Sequence, residues 1–289
     1  MQKIFIAGCG YIGERIARSC RDSGTDPVCL VRSAEHGTRL AAAGYKVIVS
    51  TLDDVASLPQ LDLTESTVFY LVPPPGGGVI DTRARAFIDT VLSRSAPAKI
   101  IYMSATSVYS ETHGGVVTEE SPAIPASAMG KRRLDAESAF MEYGRRCNVP
   151  VVVLRVSGIY GPGRLPLMQI SQGQPLLREE ESGPSNRIHA DDLATACLAA
   201  GRYGENGDII NVSDGNPSSM TAYFNACADV LRLQRQPQVT LAEAARVMSP
   251  LMFSYVSESR IVDNSRMLER LKVALRYPSM LEGLKASVD

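Results

Sequence analysis

The first turn of the chain limits its fold more than any other feature. Residues 3–7 form an apolar run that leads directly into residues 8–13, which have the pattern G-x-G-x-x-G. Residues 12–23 then carry apolar side chains at helical spacing. Between a strand and a helix, such glycines allow a tight turn, backbone approach to a pyrophosphate and close helix packing. The pattern predicts a dinucleotide-binding site at the helix N-terminus. The residues expected to form it are Gly8, Gly10, Tyr11, Ile12 and Gly13.

Strand-sized apolar runs alternate with helical patterns through the first 212 residues. The predicted strands are 3–7, 27–31, 46–49, 67–72, 99–104, 151–155 and 209–212. The predicted helices are 12–23, 34–43, 81–95, 129–147 and 190–202. This alternation indicates an α/β fold with a doubly wound parallel (Rossmann) sheet, whose ligands bind beyond the carboxyl ends of the strands.

The sequence changes character after the sixth predicted strand, where loops rich in glycine, proline and charge become common. We therefore predict an NAD(P)-binding Rossmann domain over 1–155, to which 187–212 returns, and a small C-terminal substrate-binding lobe made from 156–186 and 213–289. The apolar residues that are expected to pack as a helix in that lobe are Met267, Leu268, Leu271 and Leu275.

Composition excludes several classes of protein. A net charge of −1 gives no reason to expect a nucleic-acid partner, and the apolar runs are too short for a membrane span. The first strand begins at once, which leaves no room for a signal peptide. Six cysteines without a C-x-x-C pair are typical of reduced thiols in a cytoplasmic protein. Three scattered histidines predict no metal site.

Several further motifs follow the glycine-rich turn in order. They are Ile100–Tyr109 (IIYMSATSVY), Leu154–Gly163 (LRVSGIYGPG), Arg187–Ala194 (RIHADDLA) and Asn211–Ser213 (NVS). Together they resemble the extended short-chain dehydrogenase/reductase superfamily of nucleotide-sugar epimerases and dehydratases. The chain looks most like its atypical branch, which keeps the cofactor site and lacks the usual catalytic tyrosine. Fold alone does not fix the chemistry.

The resemblance directs attention to the end of the second predicted strand. The family often has an acidic residue there, which binds the adenosine ribose, whereas this chain has Arg32 and Ser33. An arginine there can pair with a 2′-phosphate, which favours NADP over NAD. After the third strand, Thr51 stands where the family has an aspartate that touches adenine, with Leu52 next to it. A proline- and glycine-rich loop over the cofactor adds Val72, Pro73 and Pro74 to the predicted ligands.

The family's catalytic residues are a serine or threonine, a tyrosine and a lysine. In this chain those positions hold Ala105, Met129 and Arg133. Methionine cannot exchange a proton, whereas arginine keeps the positive charge and can bind the nicotinamide ribose. A second register would pair Ser127 with Lys131, but it displaces the neighbouring family motif by two residues.

Other groups could replace the missing acid. Thr106 and Ser107 follow the fifth strand as candidates to orient a substrate, and Tyr109, Tyr160 and His113 are candidate proton donors. Each has a plainer interpretation as a packed tyrosine or an exposed loop histidine. His189 is expected to tie loops together, with Asp191 or Asp192 capping the helix that follows.

Two arginines predict an anionic small-molecule substrate. Arg187 occupies a position that the family uses for the substrate pyrophosphate, and Arg164 could assist it. The alternative for Arg187 is an ion pair with the acidic run 179–181. The chain is therefore expected to be an NADP-dependent oxidoreductase or epimerase-like enzyme, or else a catalytically silent NADP-binding sensor or scaffold.

The resemblance also implies a homodimer, in which helices 81–95 and 129–147 of two copies would pair. The apolar stripes available for that interface are Phe87, Val91, Leu92, Ala136, Phe140, Tyr143 and Cys147. The alternative is that both stripes face the protein's own sheet.

Overall fold

A seven-stranded parallel sheet forms the centre of the protein, as the sequence predicts. The computed structural model describes residues 3–55, 58–248, 252–253 and 259–288. The strands of this sheet are β1 (Lys3–Ala7), β2 (Val28–Val31), β3 (Lys46–Val49), β4 (Ser66–Tyr70), β5 (Lys99–Ala105), β7 (Val151–Val156) and β12 (Ile209–Val212). They lie in the order β12-β7-β5-β4-β1-β2-β3.

The strand order places a ligand crevice next to β1. Chain order runs outward from β1 through β2 and β3 on one side, and through β4, β5, β7 and β12 on the other. The connections after β1 and β4 therefore leave in opposite directions and open a crevice at their carboxyl ends. The glycine-rich turn follows β1, so it lies at this switch point.

Helices cover both faces of the sheet. Their bounds are α1 (Tyr11–Asp22), α2 (Ala34–Ala42), α3 (Thr82–Phe87), α4 (Ala128–Cys147), α5 (Leu167–Ser171), α6 (Ala190–Tyr203), α7 (Met220–Val230), α8 (Leu241–Val247), α9 (Ser265–Arg270) and α10 (Met280–Lys285). One apolar core joins the sheet to α1 and α6, and a second joins it to α3 and α4. Since helices cover both faces, the inner strands of the sheet are mostly apolar, whereas β3 at the edge is only partly buried.

Short strands build the rest of the molecule. They are β6 (His113–Val117), β8 (Gly158–Tyr160), β9 (Leu176–Leu177), β10 (Pro184–Ser185), β11 (Arg187–His189), β13 (Ser218–Ser219), β14 (Gln238–Val239) and β15 (Ser259–Val262). They pair as β11 with β8, β10 with β13, β14 with β9 and β15 with β6. A smaller apolar cluster, which includes Tyr160, Phe224 and Leu284, lies among α5, α7 and α10.

Part of the C-terminal segment packs differently from our expectation. Met267 and Leu271 are fully buried in the same core as α1 and α6, whereas Leu268 is 40% exposed. The segment around α9 therefore covers the central sheet. The last helix, α10, packs instead in the smaller cluster through Leu284, beside α5 and α7.

The apolar stripes that we assigned to a dimer lie inside the protein. Phe87, Leu92, Ala136, Phe140 and Tyr143 are each no more than 2% exposed and belong to the core beneath α3 and α4. Those stripes face their own sheet and provide no dimer surface. Cys147, which we placed in the same stripe, is exposed.

Two further predictions from composition concern membrane-spanning helices and free cysteine thiols. Throughout the described ranges, each helix is too short or too polar to span a bilayer. All six cysteines are free, and five of them are buried.

Candidate functional site

A cleft of about 480 Å³ opens at the carboxyl ends of β1 and β4. It is lined by the glycine-rich turn, the ends of β2 and β3, the segment after β4, and side chains from α3, α4 and the loop after β8. The predicted cofactor residues along it are Gly8, Gly10, Tyr11, Ile12, Gly13, Arg32, Ser33, Thr51, Leu52, Val72, Pro73 and Arg133. Pro74, also predicted, is not among its lining residues.

Close packing explains two of the three glycines. Gly8 has φ +85°, and a Cβ there would lie 3.0 Å from the backbone nitrogen of Val72. At Gly13 a Cβ would lie 3.1 Å from the carbonyl oxygen of Gly8, so α1 can sit this close to the turn only with glycine.

The start of α1 is open to a ligand. A Cβ on Gly10 would meet no described atom within 4 Å, and no described side chain caps this end of the helix. The first N–H groups of α1 are thus available to an anion, and the helix dipole favours one there. These features fit the pyrophosphate of a dinucleotide.

Arg32 and Ser33 lie at the far end of the cleft. Arg32 is exposed and forms no ion pair with any described residue. The Ser33 hydroxyl accepts a hydrogen bond from the backbone N–H of His36 at 3.3 Å and so caps α2. His36, which sequence reasoning missed, also lines the cleft.

Arg83 is a second residue that sequence reasoning missed. It donates to both carboxylate oxygens of Asp53, at 2.6 and 2.8 Å, and to the carbonyl of Pro73 at 3.0 Å. Through Arg83 on α3, these bonds join the loop after β3 to the loop after β4 at the wall of the cleft. The hydrogen bonds from Arg83 lower the pKa of Asp53.

The side chain at the family's lysine position reaches the cleft. Arg133 projects from α4, lines the cleft and donates to the carbonyl of Met103 at 2.9 Å. Met129, at the tyrosine position, is 40% exposed. Ser127 caps α4 by accepting a hydrogen bond from the backbone N–H of Gly130 at 3.1 Å. That cap gives Ser127 a structural role, which weakens the alternative pairing with Lys131.

The substitute acids are placed less favourably. Thr106 and Ser107 form a 3₁₀ turn after β5, partly buried, and neither is among the cleft-lining residues. Tyr109 is only 2% exposed, and its hydroxyl donates to Asn211 at 2.6 Å, so it does not reach the cleft. Tyr160 is also buried, while His113 is exposed on β6. The structure therefore favours the plainer interpretation of both tyrosines.

The two predicted substrate arginines separate in the structure. Arg164 lines the cleft, and its guanidinium lies 4.5 Å from the ring centre of Tyr11. Arg187 is only 6% exposed, and it lies 4.0 Å from the ring centre of Tyr223. It donates to two serine hydroxyls at 3.0 and 3.2 Å, and it forms no ion pair with the acidic run 179–181. Burial lowers the pKa of Arg187 and argues against direct contact with a substrate in this state.

His189 ties the loops together as expected. It is buried, and its Nδ1 accepts a hydrogen bond from the backbone N–H of Asp191 at 3.2 Å, so His189 itself caps α6. Asp192 instead accepts from the backbone N–H groups of Arg276 and Tyr277, at 2.7 and 2.9 Å. The prediction that an aspartate caps this helix is therefore wrong.

Comparison with known proteins gives a consistent picture. Residues 87–213 match the NAD dependent epimerase/dehydratase family. Protein YeeZ of Escherichia coli K12 is 24% identical over 97% of this chain and 98% of its own length. A solved structure of a functionally unknown conserved protein from Silicibacter pomeroyi has a TM-score of 0.85 and 26% identity, covering 100% of this chain and 98% of that one.

A second solved structure relates the fold to enzymes of known activity. UDP-glucuronic acid 4-epimerase from Bacillus cereus, in complex with NAD, has a TM-score of 0.73 and 19% identity, covering 99% of this chain and 97% of that one. At this identity the likeness concerns the fold alone. The sheet order and the glycine-rich turn agree with this match: residues 87–213 are similar to the NAD dependent epimerase/dehydratase family, and the whole chain has the fold of these solved structures.

Proposed function

We propose that this chain is an NADP-dependent oxidoreductase or epimerase-like enzyme that acts on an anionic carbonyl or sugar-nucleotide-like substrate. The observation that carries the proposal is one continuous cleft lined by the glycine-rich turn, Arg32 and Arg133. A bound nicotinamide dinucleotide supplies hydride transfer, and the protein's task is to hold it against the substrate.

Arg32 supports the choice of NADP. No acidic residue follows β2 at the position that would bind the ribose hydroxyls of NAD, and Arg32 lines the cleft there with its guanidinium unpaired among the described residues. A planar guanidinium suits a phosphate because it can donate two parallel hydrogen bonds. The Bacillus cereus epimerase was solved in complex with NAD. The support for NADP therefore comes from Arg32 of this chain and not from that structure.

Substitution of Arg32 tests this choice. Charge-assisted hydrogen bonds of this kind contribute about 1.5–3 kcal/mol, so Arg32→Gln should weaken NADP binding roughly ten- to a hundredfold and leave NAD binding nearly unchanged. Arg18→Gln is the control, because Arg18 is exposed on α1 and does not line the cleft. Calorimetric titration of both cofactors gives the ratio. Equal weakening of NADP and NAD would contradict the assignment.

At the nicotinamide end, the chain's own residues bind and orient. Arg133 keeps one nitrogen on the Met103 carbonyl, and its remaining donors can hold the ribose hydroxyls. Met129 can supply no proton, so the proton must come from a replacement residue, from water, or from the substrate itself. We expect slow turnover, because a positioned general acid contributes about 10²–10⁴ in rate.

Arg164 is the arginine best placed for an anionic substrate or for the cofactor pyrophosphate. It lies on the same wall as Tyr11, whose hydroxyl donates to the Pro162 carbonyl at 2.9 Å and fixes the loop that carries Arg164. Because Arg187 is buried, it could contact a substrate only after a substrate-induced movement exposed it. A cytoplasmic location and a homodimer also remain proposals, the latter without an interface in the predicted stripes.

A catalytically silent NADP sensor is the second candidate. Met129 at the tyrosine position and Ser127 engaged as a helix cap together favour it. NADPH consumption with a panel of aldehydes, ketones and nucleotide sugars would support the enzyme. Tight NADP binding without turnover of any of these compounds would support the sensor.

A further inference from the structure

His36 lies near Arg32, the residue proposed to recognise the 2′-phosphate. It occupies the first turn of α2 and lines the cleft together with Arg32 and Ser33. Its side chain is 24% exposed, so the imidazole is held in the wall of the cleft and is not free in solvent. Its charge state therefore bears directly on any phosphate bound there.

Glu14 on α1 determines which nitrogen of this imidazole carries hydrogen. The Nε2 atom of His36 lies 2.9 Å from Glu14 Oε1, and Arg39 donates to both oxygens of the same carboxylate, at 2.7 and 3.1 Å. Burial raises the pKa of Glu14, but the hydrogen bonds and charges of Arg39 and His36 outweigh it and hold that pKa below its usual value. An ionised carboxylate only accepts hydrogen bonds, so Nε2 must donate, and Nδ1 of the neutral ring is left with a lone pair.

We propose that His36 is a ligand of the 2′-phosphate of NADP and binds it as the imidazolium, so that NADP binding takes up a proton that NAD binding does not. This inference rests on the proposed NADP site. A neutral His36 would present an acceptor to an anion, whereas the protonated ring presents an Nδ1–H donor and a positive charge.

Among the charged groups near His36, Arg32 and His36 itself are available to bind the 2′-phosphate. The charged side chains that line this part of the cleft or lie next to His36 on α1 and α2 are Glu14, Arg32, Glu35, Arg39, Asp53 and Arg83. Glu14 is paired with Arg39, and Asp53 is paired with Arg83, so each pair is close to neutral. Glu35 is exposed at the start of α2. A phosphate at this end of the cleft would therefore meet the unpaired charge of Arg32 and the titratable charge of His36.

Two small probes isolate the phosphate contact. Adenosine 2′,5′-bisphosphate carries the extra phosphate, and adenosine 5′-monophosphate lacks it. We expect His36→Gln to weaken binding of the bisphosphate about tenfold at pH 6 and clearly less at pH 8, with binding of the monophosphate unchanged at both. His113→Gln is the matched control, because His113 is exposed on β6 and does not line the cleft. The titration of the free phosphate near pH 6 is common to all three proteins and cancels in the comparison.

Proton uptake gives the decisive readout. Calorimetry at pH 7 in buffers of different ionisation enthalpy should show that the wild-type chain takes up more protons on binding the bisphosphate than His36→Gln does. Identical proton uptake and identical pH profiles for the two proteins would overturn the role of His36, even if Arg32→Gln had shown that the NADP site is real. Equal affinity of the wild-type chain for the two probes would overturn both proposals.

Discussion

At the scale of single residues, α4 carries the largest departure from the family's chemistry. Met129 is 40% exposed and cannot exchange a proton, whereas Arg133 lines the cleft. We expect Met129→Leu to leave cofactor affinity and any turnover unchanged. We expect Arg133→Ala to weaken NADP and NAD binding alike by about tenfold, because ribose contacts are common to both. Titration of both cofactors measures this, and Arg145→Ala, at an exposed position further along α4 that does not line the cleft, is the control.

A different result would identify a different register on this helix. If Met129→Leu abolished turnover while cofactor affinity stayed the same, the alignment that places Met129 at the tyrosine position would be wrong. The Ser127–Lys131 pair would then regain interest despite the hydrogen bond that uses Ser127 as a helix cap.

Cleft residues that directly follow a strand could be predicted from the sequence, whereas cleft residues on the neighbouring helices could not. Gly8, Arg32 and Thr51 were assigned to the cleft from their places at strand ends, since parallel strands end at one edge of the sheet. His36 and Arg83 were missed, because their approach depends on how α2 and α3 are tilted over that edge. No local pattern encodes that tilt. The hydrogen bond from Tyr109 to Asn211 could likewise not be predicted, because the two residues are 102 positions apart.

At the scale of elements, α10 is held against the end of β8 by a very close contact. A Cβ on Gly283 would overlap the hydroxyl oxygen of Tyr160, which is buried without a hydrogen-bond partner among the described residues. Gly283→Ala should therefore lower the free energy of unfolding by about 1–3 kcal/mol, even though alanine favours helix. Urea unfolding measures it, with Gly76→Ala as the control, because a Cβ there meets no described atom within 4 Å.

The double variant separates steric overlap from other effects. Tyr160→Phe removes the oxygen that a Cβ on Gly283 would meet first and leaves the ring carbon Cζ at 2.9 Å, so Gly283→Ala should cost less in the Tyr160→Phe background than in the wild type. An equal cost in both backgrounds would show that α10 does not pack on Tyr160 as described.

The strands of the central sheet could be predicted from the sequence, whereas the short strands and their pairing could not. All seven strands of the central sheet were found within two residues of their observed ends, because each contains a short run of apolar residues between turn signals. The two-residue strands, and the pairing of β15 with β6 across more than 140 residues, arise from tertiary contacts. The predicted helix 81–95 proved to be α3 followed by a π-helical segment, Ile88–Leu92, which also has no local signal.

At the scale of the whole molecule, the sequence could not distinguish a dimer surface from a core. Phe87 and Phe140 lie on stripes that suit either a partner or the protein's own sheet, and the structure buries both in the protein's own core. An amphipathic stripe indicates only that a helix buries one face. Which neighbour covers that face depends on the tertiary arrangement.

The pH dependence of stability should report a buried carboxyl group beneath the smaller cluster. Asp214 is 4% exposed, and one of its oxygens has no partner among the described residues. Burial raises its pKa from 3.8 to about 6, against the opposing hydrogen bond from the backbone of Asn216 and the charge of Arg187. The native state therefore binds this proton more tightly than the unfolded chain does. Between about pH 4 and pH 6, Asp214 is protonated in a larger fraction of native molecules than of unfolded molecules.

Stability must then fall as pH rises through that window, and the loss is complete above about pH 6. A pKa difference of this size corresponds to roughly 2–3 kcal/mol. Asp214→Asn has no proton to lose, so its free energy of unfolding relative to wild type should rise by up to that amount between pH 4 and pH 7. Urea unfolding at several pH values measures the difference, and Asp26→Asn, at an exposed loop position, is the control. Changes at other groups, including the buried His189, are common to the proteins and cancel. Parallel pH profiles for wild type and Asp214→Asn would mean that Asp214 ionises in the native state as readily as in the unfolded chain.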